Sequence, residues 1–324
     1  MYNTVKLEKG LYNLCGKSFS QALEEADPSE NYKGTPLAGL DAYERQLKRF
    51  DIKVSGENCD TVEKFFTTTE SAVLFPEFVR RSILSGFEDS VLKDIIGVRT
   101  RVNSNMYCGY SISHTASSTN TTAEGSELPS TNITMESNSA YIDKFGRVIN
   151  ASYETVLLQR LDCFGKMLKA TGRKIVDSML KEGVSALAVG ATKINIAGSA
   201  PAYSDILSLY DLFGEYNLTT ILAAPSKASV VLGMPEVADN TRTENGKVIL
   251  PFGAELIKIP NMSNGILIGI DKEYALEMIT NSDIIVDTDK LIDKQLNVIG
   301  VSVNALFRKF SADAVKVLSL TKAS

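Results

Sequence analysis

The only histidine of the chain, His114, opens a polar stretch, HTASSTNTTAEGSELPSTNITMES, that ends at Ser137. An imidazole can act as a general base, a triad member or a metal ligand, but each role needs a neighbour that fixes the ring. Ser, Thr and Asn flank this one, so His114 reads as a solvated loop residue. The four cysteines, Cys15, Cys59, Cys108 and Cys163, form no CxxC pair and lack the spacing of a zinc site or a disulfide scaffold. They read as reduced thiols. The acidic pairs Asp287/Asp289 and Glu24/Glu25 read as solvated faces rather than metal ligands. No GxxxxGK[ST] loop, GxGxxG, HExxH or GxSxG occurs. GATKINIAG, from Gly190 to Gly198, is bounded by glycines but follows a helix and does not match a phosphate cradle. The expectation is therefore no catalytic residue, no cofactor and no metal, in a structural protein rather than an enzyme.

Composition narrows the class further. The chain has 324 residues, 44% of them hydrophobic and 23% charged, with a net charge of −5. That balance is globular, and the length exceeds what one core usually serves. Nothing resembles the basic footprint of a sequence-reading nucleic-acid binder. The opening MYNTVKLEKGLYNL has no basic segment followed by an apolar one, so no secretory leader is expected. No apolar run approaches the roughly 20 residues of a bilayer span, so no membrane partner is expected.

The elements that must position any site follow from periodicity. GKSFSQALEEADPSE reads as a short helix ending near Pro28, and LDAYERQLKRFDI as an amphipathic turn or two with Leu40, Tyr43, Leu47 and Phe50 on one face. Residues 1–70 look unable to build a core of their own. A helix after Pro76 carries Phe78, Val79 and Ile83, and a strand follows over Ile95–Val102. The longest element is a helix from Glu154 to Val189, on the order of 50 Å at ~1.5 Å per residue. Leu157, Leu161, Phe164, Leu168, Ile175 and Met179 form its buried stripe. Gly165 and Gly172 within it mark either a closely packed neighbour or a bend. YSDILSLYDLFGEY reads as a helix capped by Ser204, TTILAA as a strand, PSKASVVLGM as a helix and PEVADNTRTENGK as a polar loop. VILPF, AELIKIP and GILIGID read as short strands, and the C-terminal region as further strands ending with Val315, Val317 and Leu318.

That element order resembles the HK97-type major capsid proteins of tailed bacteriophages, from about Ala72 onward. TTTESAVLFPEFVRRSI is similar to the entry into the core. RVINASYETVLLQRLDCFGKMLKATGRKIVDSMLKEGVSALAVG is similar to the strand and spine helix of the peripheral domain. TTILAAPSKASVVLGM and VILPFGAELIKIPNMSNGILIGIDKEYALEMI are similar to axial-domain elements. The resemblance implies an α+β HK97-type fold divided as follows: N-arm 1–70, start of the peripheral domain 71–104, E-loop 105–150, spine helix 151–195, axial domain 196–284, return strands of the peripheral domain 285–324. In the E-loop, YCGYSIS and AYIDKFGRVINAS would be the two strands, with TASSTNTTAEGSELPSTNI at and near the tip.

The resemblance further implies self-assembly into pentamers and hexamers of an icosahedral shell around double-stranded DNA, held by non-specific contacts. Scaffolding, portal and decoration proteins would be partners. The place would be the virion, and the bacterial cytoplasm during assembly. Inter-subunit ion pairs would draw on Arg45, Lys48 and Arg49 in the N-arm, Glu124, Glu127 and Lys144 in the E-loop, and Asp287, Asp289 and Lys290 near the C-terminal turn. The Lys–Asn crosslink of some relatives does not carry over, because Lys144 is the only lysine between Asn103 and Asn150 and no clear acceptor precedes Asn297. Residues 1–70 read as an uncleaved arm, with a cut near Thr67–Ser71 as the alternative. Two other readings stand beside this one: an encapsulin-type shell around cargo enzymes, with Gly16–Ala26 as a cargo-binding helix, and an enzyme whose chemistry lies in a preformed pocket.

Overall fold

A computed structural model describes residues 5–12, 17–114, 121–122, 124–128, 130–152, 156–198, 200–240, 242–244, 246–291 and 295–321. The chain divides into two compact units. One comprises residues 1–94, 145–182 and 284–303; the other comprises 95–144, 183–283 and 304–324.

The first unit is built on a crossing of two helices, Phe75–Glu88 and the early part of Leu161–Ala188. Glycines make the crossing close. A methyl at Gly86 would lie 2.3 Å from Lys169 O, and one at Gly172 would lie 2.4 Å from Ile83 O. Backbone therefore meets backbone at both points, and Gly172 marks a packed neighbour. Gly165 has ordinary room, its nearest neighbours being Phe78 Cζ at 3.5 Å and Ser82 Oγ at 3.6 Å. Beside the crossing Phe65 meets Phe75 edge-on and Phe78 at a tilt, and Phe75 stacks on Phe164. The long helix runs Leu161–Ala188, and its expected start, Glu154, lies outside the described residues. Thr61 and Arg160 form an antiparallel bridge just before it, which takes residues 159–161 into extended pairing.

Residues 19–66, which read as unable to build a core of their own, lie on this core. The helix Phe19–Ala26 has a capping box at Ser18 and Gln21, and the helix Ala42–Arg49 has one at Asp41 and Glu44. Each buries a narrow stripe: Phe19, Ala22 and Leu23 from one, Tyr43 and Leu47 from the other. Tyr43 Oη donates to Leu74 O at 3.3 Å, and Tyr12 Oη donates to Val73 O at 2.8 Å. Ser20 Oγ donates to Glu77 at 2.5 Å, and Arg81 pairs with Asp41 at 2.6 Å and with Glu77 at 3.1 Å. The same unit holds strand β12 (Ile285–Leu291), antiparallel to the first half of β13 (Leu296–Lys309), with β4 (Asp143–Ser152) also on β13.

The second unit contains a seven-stranded sheet in the order β5-β14-β10-β6-β9-β8-β7. Its strands are β5 (Thr192–Ala197), β6 (Thr220–Ala223), β7 (Arg242–Glu244), β8 (Lys247–Ile249), β9 (Glu255–Lys258), β10 (Ile266–Ile270) and β14 (Val315–Thr321). The central strands TILA and ILIGI are almost wholly buried, which is why they read as unbroken apolar runs. The helices Tyr203–Asp211 and Pro225–Leu232 contribute Ile206, Leu209, Ala228 and Val231 to one core with Ile221, Leu267 and Leu318. Ala202, not Ser204, is the N-cap residue of the first, and Asp205 accepts its N–H at 2.7 Å. The loop expected over 235–247 holds the helix Pro235–Ala238 and the β7–β8 pair. The closing strand β14, expected among the peripheral return strands, lies inside this sheet between β5 and β10. Beside the sheet, β1 (Ile96–Arg101) runs parallel to β11 (Leu276–Thr280), and β11 is antiparallel to the second half of β13.

Candidate assembly surface

A two-stranded ribbon of the second unit carries the most exposed apolar surface. Among the described residues, strand β2 (Met106–His114) pairs with β3 (Thr131–Tyr141) alone, from Met106 opposite Tyr141 to His114 opposite Thr131. This corrects the expected hairpin. Its second strand starts earlier than expected, at Thr131 within the stretch assigned to the tip, and ends at Tyr141, the second residue of the expected strand, while Asp143–Ser152 pairs with β13 instead. Every residue of β3 is exposed. TNITMESNSAY therefore shows no burial period, although its alternation of Ile, Met and β-branched threonine suits an extended strand.

Opposed residues of an antiparallel ladder stand on the same face. The register thus gathers Met106 with Tyr141, and Tyr110 with Met135, on one face that also takes Ile133. Tyr110, Ile133, Met135 and Tyr141 are 58%, 68%, 65% and 69% exposed. A lone two-stranded hairpin is marginal in water, and contiguous exposed apolar side chains mark an interaction surface.

The other face is anchored to its own unit. Arg308, from β13, donates to Glu136 at 2.8 Å and lies 3.6 Å from Glu277, a carboxylate only 4% exposed. Glu277 also accepts from Thr100 Oγ1 at 2.6 Å and from Tyr107 Oη at 3.0 Å. The guanidinium lies so close over Gly109 that a methyl there would sit 1.0 Å from Nη1. Gly109 falls where the β2–β3 register shifts, so the ladder irregularity and the missing side chain together admit the arginine. Burial, and then the hydrogen bond to Glu277, push the Tyr107 hydroxyl above its usual range. Burial lowers Lys309. At the root of the ribbon, Asn281 Nδ2 donates to Asn105 Oδ1 at 2.7 Å. Spacing in the sequence hides this cluster, because its members come from β1, β2, β3, β11 and β13.

The charged residues expected at subunit contacts fare differently. Arg45 is 1% exposed and is spent within its own chain. It pairs with Asp27 at 3.0 Å, donates to Leu40 O, Ser29 Oγ and Asp27 O, lies near Glu24 and stacks over Tyr32. A buried guanidinium is costly unless its donors find acceptors, and the loop from Asp27 to Leu40 accepts four hydrogen bonds from it. Arg45 is thereby corrected from a contact residue to a buried brace. Arg49 pairs with Glu70 at 3.2 Å and donates to Val5 O. Lys48, Glu124, Glu127, Lys144, Asp287 and Asp289 are exposed; Asp287 and Asp289 share β12, Glu124 and Glu127 share a loop, and Lys48 and Lys144 lie on the helix Ala42–Arg49 and on β4. The side chains of Lys290 and His114 lie outside the described residues. Among the described residues no cluster of three metal-ligating side chains occurs, and no helix is long and apolar enough to cross a membrane.

No protein-family model matches the chain, and no curated protein matches it in sequence. Solved structures do match in fold. The head structure of Helicobacter pylori bacteriophage KHP40 superposes with a TM-score of 0.53 at 13% identity, covering 70% of this chain and 88% of that one. The virus-like particle from Pyrococcus furiosus gives 0.51 at 13% identity, covering 75% and 98%. The holo-SrpI encapsulin complex from Synechococcus elongatus PCC 7942 gives 0.50 at 13% identity, covering 68% and 84%. At this identity the likeness speaks for the fold, and the fold is the α+β fold of HK97-type capsids and encapsulins.

Proposed function

We propose that this chain is the major capsid protein of a tailed phage or prophage, a structural subunit that assembles into pentamers and hexamers of an icosahedral shell around double-stranded DNA. One observation carries the reading: the ribbon β2–β3 displays Tyr110, Ile133, Met135 and Tyr141 to solvent in the single chain while Arg308 fixes its root. A neighbouring subunit is the partner that would bury such a stripe many times over in a closed symmetric assembly. Glu124, Glu127, Lys144, Asp287 and Asp289 are the charges we assign to the rims of those contacts, each worth about 0–1 kcal/mol. Scaffolding, portal and decoration proteins are the partners of this reading. The packaged DNA is held by non-specific phosphate contacts, and the setting is the virion, with assembly in the host cytoplasm.

A second reading, the encapsulin-type shell, draws on a specific feature. The helix Phe19–Ala26 lies folded on its own chain, with Phe19 and Leu23 buried, rather than reaching out as an arm. The contents of native particles separate the two. Particles purified from the host and treated with nuclease should release protected double-stranded DNA. DNA-free shells holding an enzyme would overturn the phage reading in favour of the encapsulin, and the absence of any particle would overturn both.

A further inference from the structure

Cys59 and Cys163 lie far apart in the sequence, but pairing between their segments brings them together. Thr61 and Arg160 form an antiparallel bridge. Val62 N–H donates to Gln159 O at 2.9 Å, and Leu161 N–H donates to Asp60 O at 2.9 Å. Carried two residues further, this register sets Cys59 opposite Asp162, and Asp162 N–H donates to Cys59 Sγ at 3.3 Å. Cys163 is the next residue, in the first turn of the long helix. Opposed residues of an antiparallel ladder have Cα atoms about 4.5–5.5 Å apart. A disulfide spans Cα separations of about 4.4–6.8 Å, so a position one residue along is within its reach.

The surroundings fit a closable pair. Cys163 is exposed and Cys59 half-buried, and both are free thiols. Arg160 is held to Asp162 by two hydrogen bonds, at 2.9 and 3.2 Å, and donates to Gly56 O at 3.2 Å. Both sulfurs lie close enough to its guanidinium to act on it, after the larger influence of Asp162. The same charged side chain thus spans the loop that carries Cys59 and the helix start that carries Cys163.

We infer that Cys59 and Cys163 are a redox-responsive pair that closes to a disulfide, fastening the Lys53–Thr61 loop to the head of the long helix when the chain meets a small-molecule disulfide oxidant. The exposed Cys163 sulfur, as thiolate, attacks one sulfur of the oxidant, forming a mixed disulfide and releasing one small thiolate. The Cys59 sulfur then attacks Cys163 Sγ and expels the second. Two electrons pass from the cysteine pair to the oxidant, and the two protons of the protein thiols end on the two released thiols. Thiol pools of a reducing cytosol keep the pair open, and oxidising surroundings close it.

The test uses the full chain and oxidised glutathione, followed by digestion without reductant and mass mapping. The expected result is a linked peptide pair containing Cys59 and Cys163, about 2 Da lighter than the two free thiol peptides and separated again by dithiothreitol. The Cys59→Ser protein should stop at a stable glutathione adduct on Cys163, which shows that Cys59 is the resolving thiol. An equally stable adduct on Cys163 in the unaltered protein would overturn the inference. So would a bridge from Cys163 to Cys15 or Cys108.

Discussion

Replacing Gly172 and Gly165 by alanine, one at a time, should move stability in opposite directions although both sit in the same helix. Alanine in a helix interior is worth about 1 kcal/mol over glycine. At Gly165 the new methyl meets Phe78 Cζ at 3.5 Å and Ser82 Oγ at 3.6 Å, ordinary contact distances. The propensity gain should survive there, at about 0.5–1 kcal/mol. At Gly172 the methyl would sit 2.4 Å from Ile83 O, and the obstacle is backbone that cannot rotate away. The two helices must separate by roughly 1 Å, and gaps of that size forfeit a quarter to a half of each contact's attraction. Overpacking costs about 1–3 kcal/mol, and against rigid backbone the upper part, about 2–3 kcal/mol, applies. After the propensity gain of about 1 kcal/mol the net loss should be about 1–2 kcal/mol. A two-unit chain does not promise a single unfolding transition, so a local measurement is the right assay. Hydrogen exchange of the amides between Leu161 and Glu182 should be roughly 5- to 30-fold faster in Gly172→Ala and a few-fold slower in Gly165→Ala. Slower exchange in both would refute the close crossing, because propensity alone would then explain the data.

Three further outcomes follow from particular contacts. Arg308→Met leaves Glu277 buried without its cation. Removing one partner of a fully buried pair costs about 3–5 kcal/mol. Partial exposure of Arg308 and the retained hydroxyls of Thr100 and Tyr107 reduce that to roughly 1–3 kcal/mol, seen as faster exchange of the β2 and β3 amides; unchanged protection would contradict the anchor. Tyr12 and Tyr43 are held above the ordinary value of 10.0, chiefly by burial. Both are neutral in the folded chain, so their contribution is complete below pH 10 and is lost as pH rises beyond it. Phenolate absorbance should show Tyr12 and Tyr43 ionising late, as Tyr107 also does, with the ionisation of the first two accompanying exposure of residues 19–66, whereas ionisation of every tyrosine near pH 10 with that segment still protected would count against the packing. The double substitution Tyr110→Lys and Met135→Glu should leave the far-ultraviolet circular dichroism unchanged and abolish particle formation. Normal particles from that protein would remove the ribbon from the assembly surface.

Much of the fold is legible in the sequence because burial writes a period into it. The stripe Leu161, Phe164, Leu168, Ile175 and Met179 announces the long helix, and TTILAA and GILIGID announce buried strands. The resemblance supplied the class of fold and the existence of a two-stranded segment ahead of the long helix. Its register was not legible, because β3 is exposed along its whole length and an unburied strand has no face for hydrophobic residues to mark. For residues 19–66 the lack of a core of their own was legible, but the helix that receives them was not. Each short helix buries only two or three large side chains, which looks too little for a core until the Phe75–Glu88 helix completes it. Contacts between distant segments left no trace in spacing: Arg45 with Asp27, Arg308 with Glu136 and Glu277, and Cys59 beside Asp162. Arg45 carried the opposite signal, since a charged residue on a helix reads as surface unless its acceptors are known.

The central claim is that this chain is a shell subunit, and the most direct measurement is the mass of the purified full-length protein in solution with electron microscopy of the same sample. A shell subunit should give closed particles of uniform diameter, or rings of five and six subunits, from this chain alone or together with a co-expressed scaffold. A protein that stays monomeric at all concentrations, with and without the products of neighbouring genes, would contradict the claim.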